Sequence, residues 1–391
     1  MIRKLHLTFI VSTLFMVSMV FAAPSFSPEA IKIGLTVSMS GKYKEAGLQQ
    51  LQGIQMWRDD VNERGALLGK RIELLVKDDH SRSEDVAVLY EQFIRQEKVD
   101  LLLGPYSSDL TIAAGNIAEQ YHFPLLAIAA SASSIWKDKI TPYVFGIYAQ
   151  SDRLMNSVIQ QAVENGLQRV AIIYADAEYT RSIAKGSRMT AEGRGLEIVA
   201  YEMFNHENDS LATSVNRIAE TKPELIIASA YLEDSIDIVK ALKLKQVDHK
   251  MLVFSGSADT EEFEHALGDD VEGVTSAIQW SESQHLPGAY DFSFRYEQKY
   301  GEEPSYQAAG GYAAGQILEA AVRLSGSLSR EHLRLELLKL KFRSLFGHYR
   351  VGENGQQIGK QAYVMQWQDG ERRMVMPKAL SSHVIRYYDE Q

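Results

Sequence analysis

The stretch Val99-Asp-Leu-Leu-Leu-Gly-Pro-Tyr-Ser-Ser108 leaves few choices of fold. Four of its first five residues are apolar, which suits a strand buried on both faces, and Gly104-Pro105 ends that strand in a sharp turn. A helical pattern follows at once, with Ile112, Ala113, Ile117 and Ala118 on one side. Ser107 and Ser108 therefore fall at a helix N-terminus, where a hydroxyl caps free backbone N–H groups and the same groups can hold an anion. A strand of this kind belongs to a parallel sheet covered by helices on both faces.

The chain on either side repeats the pattern. Ile31 to Ser38 alternates as a strand, and Ser40-Gly41-Lys42-Tyr43 is a loop. Leu48, Leu51, Ile54, Trp57 and Val61 recur at three or four, predicting an amphipathic helix that stops near Gly65. Lys70 to Lys77 is the next strand, ended by Asp78-Asp79, and a helix from Ser83 to Gln96 leads into Val99. Phe123 to Ala130 is a further buried strand with Ser131-Ala-Ser-Ser134 at its polar end.

A second series opens with a helix from Asp152 to Asn165. Its strands are 169–174, 196–204, 224–231, 251–254 and 274–280, with helices between them. The expected fold is therefore α/β, with two doubly wound Rossmann-like lobes of similar build and no shared sequence motif. From Gly288 to Lys341 the pattern is helical. The tail, Gly347 to Gly352 and Ala362 to Gly370, carries the turn dipeptides Asn354-Gly355 and Asp369-Gly370, which predict an antiparallel addition.

With 391 residues the chain exceeds one core, in line with two lobes. Arg3 and Lys4 precede an apolar run from Leu5 to Ala23 ending in small residues, the layout of a secretory signal peptide spanning 1–22 and cut near Ala22. The run is also nearly long enough to serve as an uncleaved membrane anchor. Cysteine is absent, which excludes disulfides, thiolate metal sites and a lipid-modified cysteine. Losing Arg3 and Lys4 takes the net charge from −10 to −12, a poor match for nucleic acid. Export to the periplasm fits all of this.

In open parallel sheets ligands sit outside the carboxyl ends of the strands. Four such ends carry polar or aromatic residues: Ser107-Ser108, Ala129 to Ser134, Ala175 to Thr180, and Tyr231 to Asp234. Each serine alone reads as a helix cap; together, their hydroxyls and N–H groups could converge on one carboxylate. Asp109 competes for the same positive helix end. Tyr106, Trp136, Tyr148, Tyr174, Tyr179, Tyr231 and Trp280 cluster near these ends, either as core packing or as an apolar wall with polar tips suited to an amphipathic small molecule.

Enzyme signals are weak. The chain has no G-x-S-x-G elbow, no H-E-x-x-H and no Walker A loop, and Gly193-Arg-Gly195 lacks the rest of a dinucleotide fingerprint. Asp78-Asp79-His80 reads as a solvated strand end, because adjacent residues there point in different directions. The ten histidines are scattered. No catalytic residue, metal ligand or cofactor is expected.

The ordered segments resemble the type I periplasmic substrate-binding proteins of ABC transporters, the group of leucine/isoleucine/valine-binding proteins. The resemblance rests on Ser40-Gly41, Gly47, Gly53, Asn62 to Gly69, Asp78-Asp79, Gly104-Pro-Tyr-Ser-Ser108, Phe123-Pro124, Tyr143-Val-Phe145, Lys222-Pro223 and Tyr300-Gly-Glu-Glu-Pro304. It covers nearly the whole chain after the leader. It implies two lobes joined by three crossovers, with ligand in the cleft and hinge closure on binding. Lobe one is expected at 31–146 with 283–346, and lobe two at 147–282 with 347–391.

The resemblance also implies site residues. Ser108, with Ser107 nearby, matches the serine for a ligand carboxylate; Ala129 and Ser131 match the contacts of the next strand end; Tyr179 and Tyr231 match aromatics of the second lobe. Amino-acid binders of this group place an acid for the substrate ammonium after the strand 251–254. This chain has Ser255-Gly-Ser257 there, so Ser257 is the residue expected at that place, with Asp259 further on. Gly146 stands where an Arg is usual.

The implied function is an exported, non-enzymatic and monomeric solute-binding protein. It would capture an amino acid, carboxylate or amide and deliver it to a membrane ABC permease. A ligand-sensing subunit for a membrane receptor or kinase is the alternative on the same fold, and an exported α/β enzyme is a third.

Overall fold

The computed structural model describes residues 29–137, 140, 142–205 and 210–388. The leader read at 1–22 lies outside the described residues.

The first series is β1 (Ile31–Val37), α1 (Lys44–Glu63), β2 (Ile72–Asp78), α2 (Ser83–Arg95), β3 (Leu101–Leu103), α3 (Ser108–Gln120), β4 (Leu125–Ala127) and β5 (Val144–Gly146). Its strands pair in parallel in the order β2-β1-β3-β4-β5. Leu101, Leu102 and Leu103 are buried on both faces, as an unbroken apolar run in the middle of a covered sheet requires.

The second series is α4 (Asn156–Glu164), β6 (Arg169–Ala175), α5 (Glu178–Gly193), β7 (Glu197–Phe204), α6 (Ser210–Thr221), β8 (Leu225–Ser229), α7 (Leu232–Leu244), β9 (Met251–Phe254), α8 (Glu261–Leu267) and β10 (Thr275–Ile278). Three helices follow, α9 (Ala289–Tyr300), α10 (Tyr306–Ser325) and α11 (Arg330–Lys339), then β11 (Phe342–Ser344), β12 (Gly347–Tyr349), β13 (Tyr363–Gln368) and β14 (Glu371–Met376). The second sheet runs β14-β13-β10-β9-β8-β6-β7. Its strands β6 to β10 are parallel, and β13 and β14 extend it antiparallel beside β10.

Helices α9 to α11 return to the first sheet. Phe292, Tyr296, Ile317 and Leu333 share a core with Ile33, Trp57 and Leu101. Helix α10 lies so close to α1 that a Cβ built on Gly315 would sit 2.0 Å from Trp57 Cδ2, an approach only glycine permits. Tyr349 and Val351 belong to this same core. The last passage to the second sheet therefore lies beyond Val351, later than the Phe346 boundary expected, because Asn354-Gly355 turns the chain back along β5, where Gly355 O accepts from Gly146 N at 3.0 Å.

The chain thus passes between sheets three times, and glutamine amides tie the passages together. Gln279 Oε1 accepts from Ala149 N at 2.9 Å while its Nε2 donates to Ala149 O at 3.2 Å. Gln150 Nε2 donates to Gln357 O at 2.9 Å, and Gln357 Nε2 to Ile147 O at 3.2 Å. Buried amides held on both sides in this way satisfy backbone groups that no sheet ladder can reach.

Candidate functional site

The carboxyl ends of β3 and β4 meet at the cleft between the sheets. Tyr106 bridges Ala129 in parallel, continuing the pairing past Gly104-Pro105. Ser107 caps α3, its Oγ accepting from Leu110 N at 3.3 Å. Its backbone, at φ 78° and ψ 153°, lies in a region almost reserved for glycine, the kind of strain that collects at binding sites. Ser108 Oγ accepts from Ser131 N at 3.3 Å and Ala132 N at 3.2 Å, locking one strand end to the next.

These residues form one wall of a cavity with about 20 Å³ of enclosed space, room for a water molecule, so a solute can enter only when the lobes part. Tyr106, Ser107, Ser108, Ala129, Ser131 and Tyr148 line it from the first lobe, with Tyr306 from the start of α10. Tyr179 from α5, Tyr231 before α7 and Gln279 after β10 close it from the second lobe. None of the described residues lining it carries a charge. Tyr43 packs edge-on at the rim, its ring 5.6 Å from Tyr106 and 5.5 Å from Tyr231.

Burial governs the chemistry of the five lining tyrosines. It pushes the Tyr106 hydroxyl up to about 12, and raises Tyr148, Tyr179, Tyr231 and Tyr306 as well. All five stay neutral at physiological pH and present O–H donors. Tyr179 OH donates to Ser255 O at 3.3 Å, and Tyr148 OH to Tyr306 O at 3.3 Å. Ser131 Oγ and Tyr231 OH are buried without a hydrogen-bond partner. Such orphaned groups cost about 1–3 kcal/mol each, a cost that a ligand's polar atoms can remove.

Six of the seven residues expected at the site, Ser107, Ser108, Ala129, Ser131, Tyr179 and Tyr231, thus line one cavity. Ser257 does not. Its Oγ bonds Ser235 Oγ at 2.6 Å on α7, and the carbonyl of Ser255 faces Tyr179 instead. Of the other aromatics, Tyr106 and Tyr148 join the wall. Trp136 donates to Val144 O, Trp280 to Leu345 O, and Tyr174 packs on Tyr201. Gly146 makes room for Trp136: a Cβ there would lie 2.6 Å from its ring. The place of the usual Arg is therefore taken by indole.

Sequence reasoning missed Gln279 and Tyr306. The strand-end rule applied to β10 would have flagged Gln279. Tyr306 carries no local signal, since it reaches the cleft only through the packing of α10 on α1. Asp78-Asp79-His80 is structural. Burial works to raise Asp78, but the N–H groups of His80 and Met39, with the Ser40 hydroxyl and the adjacent His80 ring, together outweigh it and lower its pKa. Asp79, buried and raised, accepts from Ser38 Oγ at 2.6 Å. Among the described residues no group of three potential ligands could hold a metal, and no helix is long and apolar enough to cross a membrane.

Comparison with known proteins agrees with this architecture. Leu/Ile/Val-binding protein homolog 7 of Brucella abortus (strain 2308) is 23% identical over 383 residues, covering 93% of this chain and 95% of the relative. A leucine-binding protein from Thermotoga maritima MSB8 superposes with a TM-score of 0.81 at 22% identity, covering 90% of this chain and all of the other. A solute-binding protein of an R. palustris ABC transporter, solved with benzoate, gives 0.79 at 20% identity, over 88% and 95% of the two chains. A branched-chain amino acid transporter substrate-binding protein from Streptococcus pneumoniae, solved with isoleucine, gives 0.78 at 24%, over 89% and 100%. The family model described as Periplasmic binding protein matches residues 30–372, so the chain belongs to that family of solute-binding proteins.

Proposed function

We propose that this protein is an exported, non-enzymatic and monomeric binding protein that captures a small amphipathic organic solute without an ammonium group and delivers it to a membrane ABC permease. The observation that carries the reading is the uncharged cavity, walled from both lobes by five neutral tyrosines and holding two orphaned hydroxyls, Ser131 Oγ and Tyr231 OH. An ammonium buried there would meet no lining carboxylate, whereas an anionic or amide oxygen would meet tyrosine and serine O–H donors and the N-terminus of α3. A ring or branched apolar body bearing a carboxylate or amide fits better: the rings take the body, the hydroxyls the polar end.

Similar structures were solved with isoleucine, benzoate and 3,4-dihydroxybenzoic acid, and the lining here favours the latter type. A thermal-shift series with benzoate, 3,4-dihydroxybenzoate, benzamide, leucine and isoleucine tests the reading. A member of the first three at 100 times its dissociation constant should add about 2.7 kcal/mol of stability and be recovered unchanged. Stabilisation by leucine or isoleucine alone, or chemical turnover of the ligand, would overturn it.

A further inference from the structure

Several contacts between the lobes lie outside the cavity wall, and one of them joins α3 to the N-terminus of α5 at the rim. Asp109, second residue of α3, accepts at Oδ1 from Glu178 N at 3.3 Å and at Oδ2 from Tyr43 OH at 3.4 Å. Glu178 is the first residue of α5, in the other lobe. Because Ser107 already caps α3, the Asp109 carboxylate is available to the facing helix, and it sits where the partial positive charge of the α5 N-terminus is strongest. Tyr43 in turn packs on Tyr231, and Ser134 Oγ donates to Glu178 Oε2 at 2.9 Å, so three contacts meet at one point on the rim. At another lobe contact the ion pair Arg372–Glu303, 2.9 Å, joins the turn between α9 and α10 to β14, but Glu303 is exposed and the pair is correspondingly weak.

We infer that Asp109 is the closing residue of the binding cycle: it supplies from within the chain the anion that the α5 N-terminus takes, and so holds the lobes together before any solute binds. The carboxylate is a charged acceptor at both contacts, bridges the two lobes, and is flanked on one side by Tyr43. Solute entry and exit each have to break this contact, and closure over the solute re-forms it. Any ligand is thus relieved of bridging the two lobes by its own charge. The inference stands on the rim contacts and does not depend on which solute the cavity takes.

The test uses the absence of cysteine, which allows clean spin labelling. Val88→Cys on α2 and Met189→Cys on α5 are exposed positions, one per lobe. Interlobe distances are measured by pulsed electron resonance on protein stripped of bound solute by unfolding and refolding. The unaltered rim should give one short-distance population. Asp109→Ala should lower the closed-to-open ratio about tenfold, the size of one charge-assisted hydrogen bond, with Asp109→Asn in between. Glu178→Pro and Glu178→Ala both lose the Glu178 side chain, and only the former loses the N–H. Proline is tolerated at the first helical position, and extended Ala177 suits a residue before proline. Glu178→Pro should therefore open the lobes like Asp109→Ala, and Glu178→Ala much less. Equal distances for Glu178→Pro and Glu178→Ala, or for Asp109→Ala and its parent, would overturn the inference.

Discussion

Replacing Gln279 probes how the cavity is joined to the hinge. Its amide both lines the cavity and clamps the backbone of Ala149 through two hydrogen bonds, 2.9 Å and 3.2 Å, in surroundings where Gln279 and Ala149 are each only 3% exposed. Gln279→Met keeps the length of the side chain and removes both bonds, leaving one buried N–H and one buried C=O unsatisfied. At about 1–3 kcal/mol for each orphaned group, the loss should be about 2–6 kcal/mol. Gln279→Ala adds a void and should cost more. Urea unfolding followed by tryptophan fluorescence measures this. Because the bond pair links two of the three interlobe passages, the transition should also broaden or split as the lobes uncouple. A loss below about 0.5 kcal/mol for Gln279→Met would refute the clamp, since it would mean that water replaces the amide without cost.

Two other perturbations have definite signs. Gly315→Ala drives a methyl into the Trp57 ring and should destabilise the first lobe by about 1–3 kcal/mol in the same urea assay, with cavity residues unaffected. His249 is held below its ordinary value of 6.5 by burial. Above that pH both folded and unfolded forms are neutral. As pH falls through it the unfolded chain binds the proton first and stability is lost. The loss from pH 7.5 to 5.5 is at most about 1.4 kcal/mol. It should be absent from His249→Phe, whose ring can still pack on Tyr388; parallel pH profiles for the two proteins would contradict this.

Much of the fold was legible because its signals are local. Leu101 to Leu103 is apolar without a break, and a strand buried on both faces has no other composition open to it. Leu51, Ile54, Trp57 and Val61 mark the inner face of α1 by spacing alone. The strand-end rule brought Ser107, Ser108, Ala129 and Ser131 to one corner, because parallel neighbours end side by side. What was not legible depends on contacts between distant segments. Tyr306 reaches the cavity through the fit of α10 on α1. Ser257 was placed by its position after β9, yet its hydroxyl is taken by Ser235. Asp109 read as a competitor for its own helix end, and only the facing of α3 and α5 shows it accepting from Glu178 N. The hairpin β11–β12 and the turn at Gly355 keep Tyr349 and Val351 in the first core, which turn dipeptides alone do not specify.

The central claim is that one uncharged cavity between the lobes holds the solute through Ser131 and Tyr231. Calorimetric titration of a solute identified by thermal shift, into the parent protein and into Ser131→Ala, Tyr231→Phe and the double variant, tests it most directly. Each single change removes one orphaned hydroxyl and should weaken binding about five- to thirtyfold, with the double variant weaker still and unfolding midpoints unchanged or raised. Full affinity in the double variant would place the solute elsewhere and contradict the account.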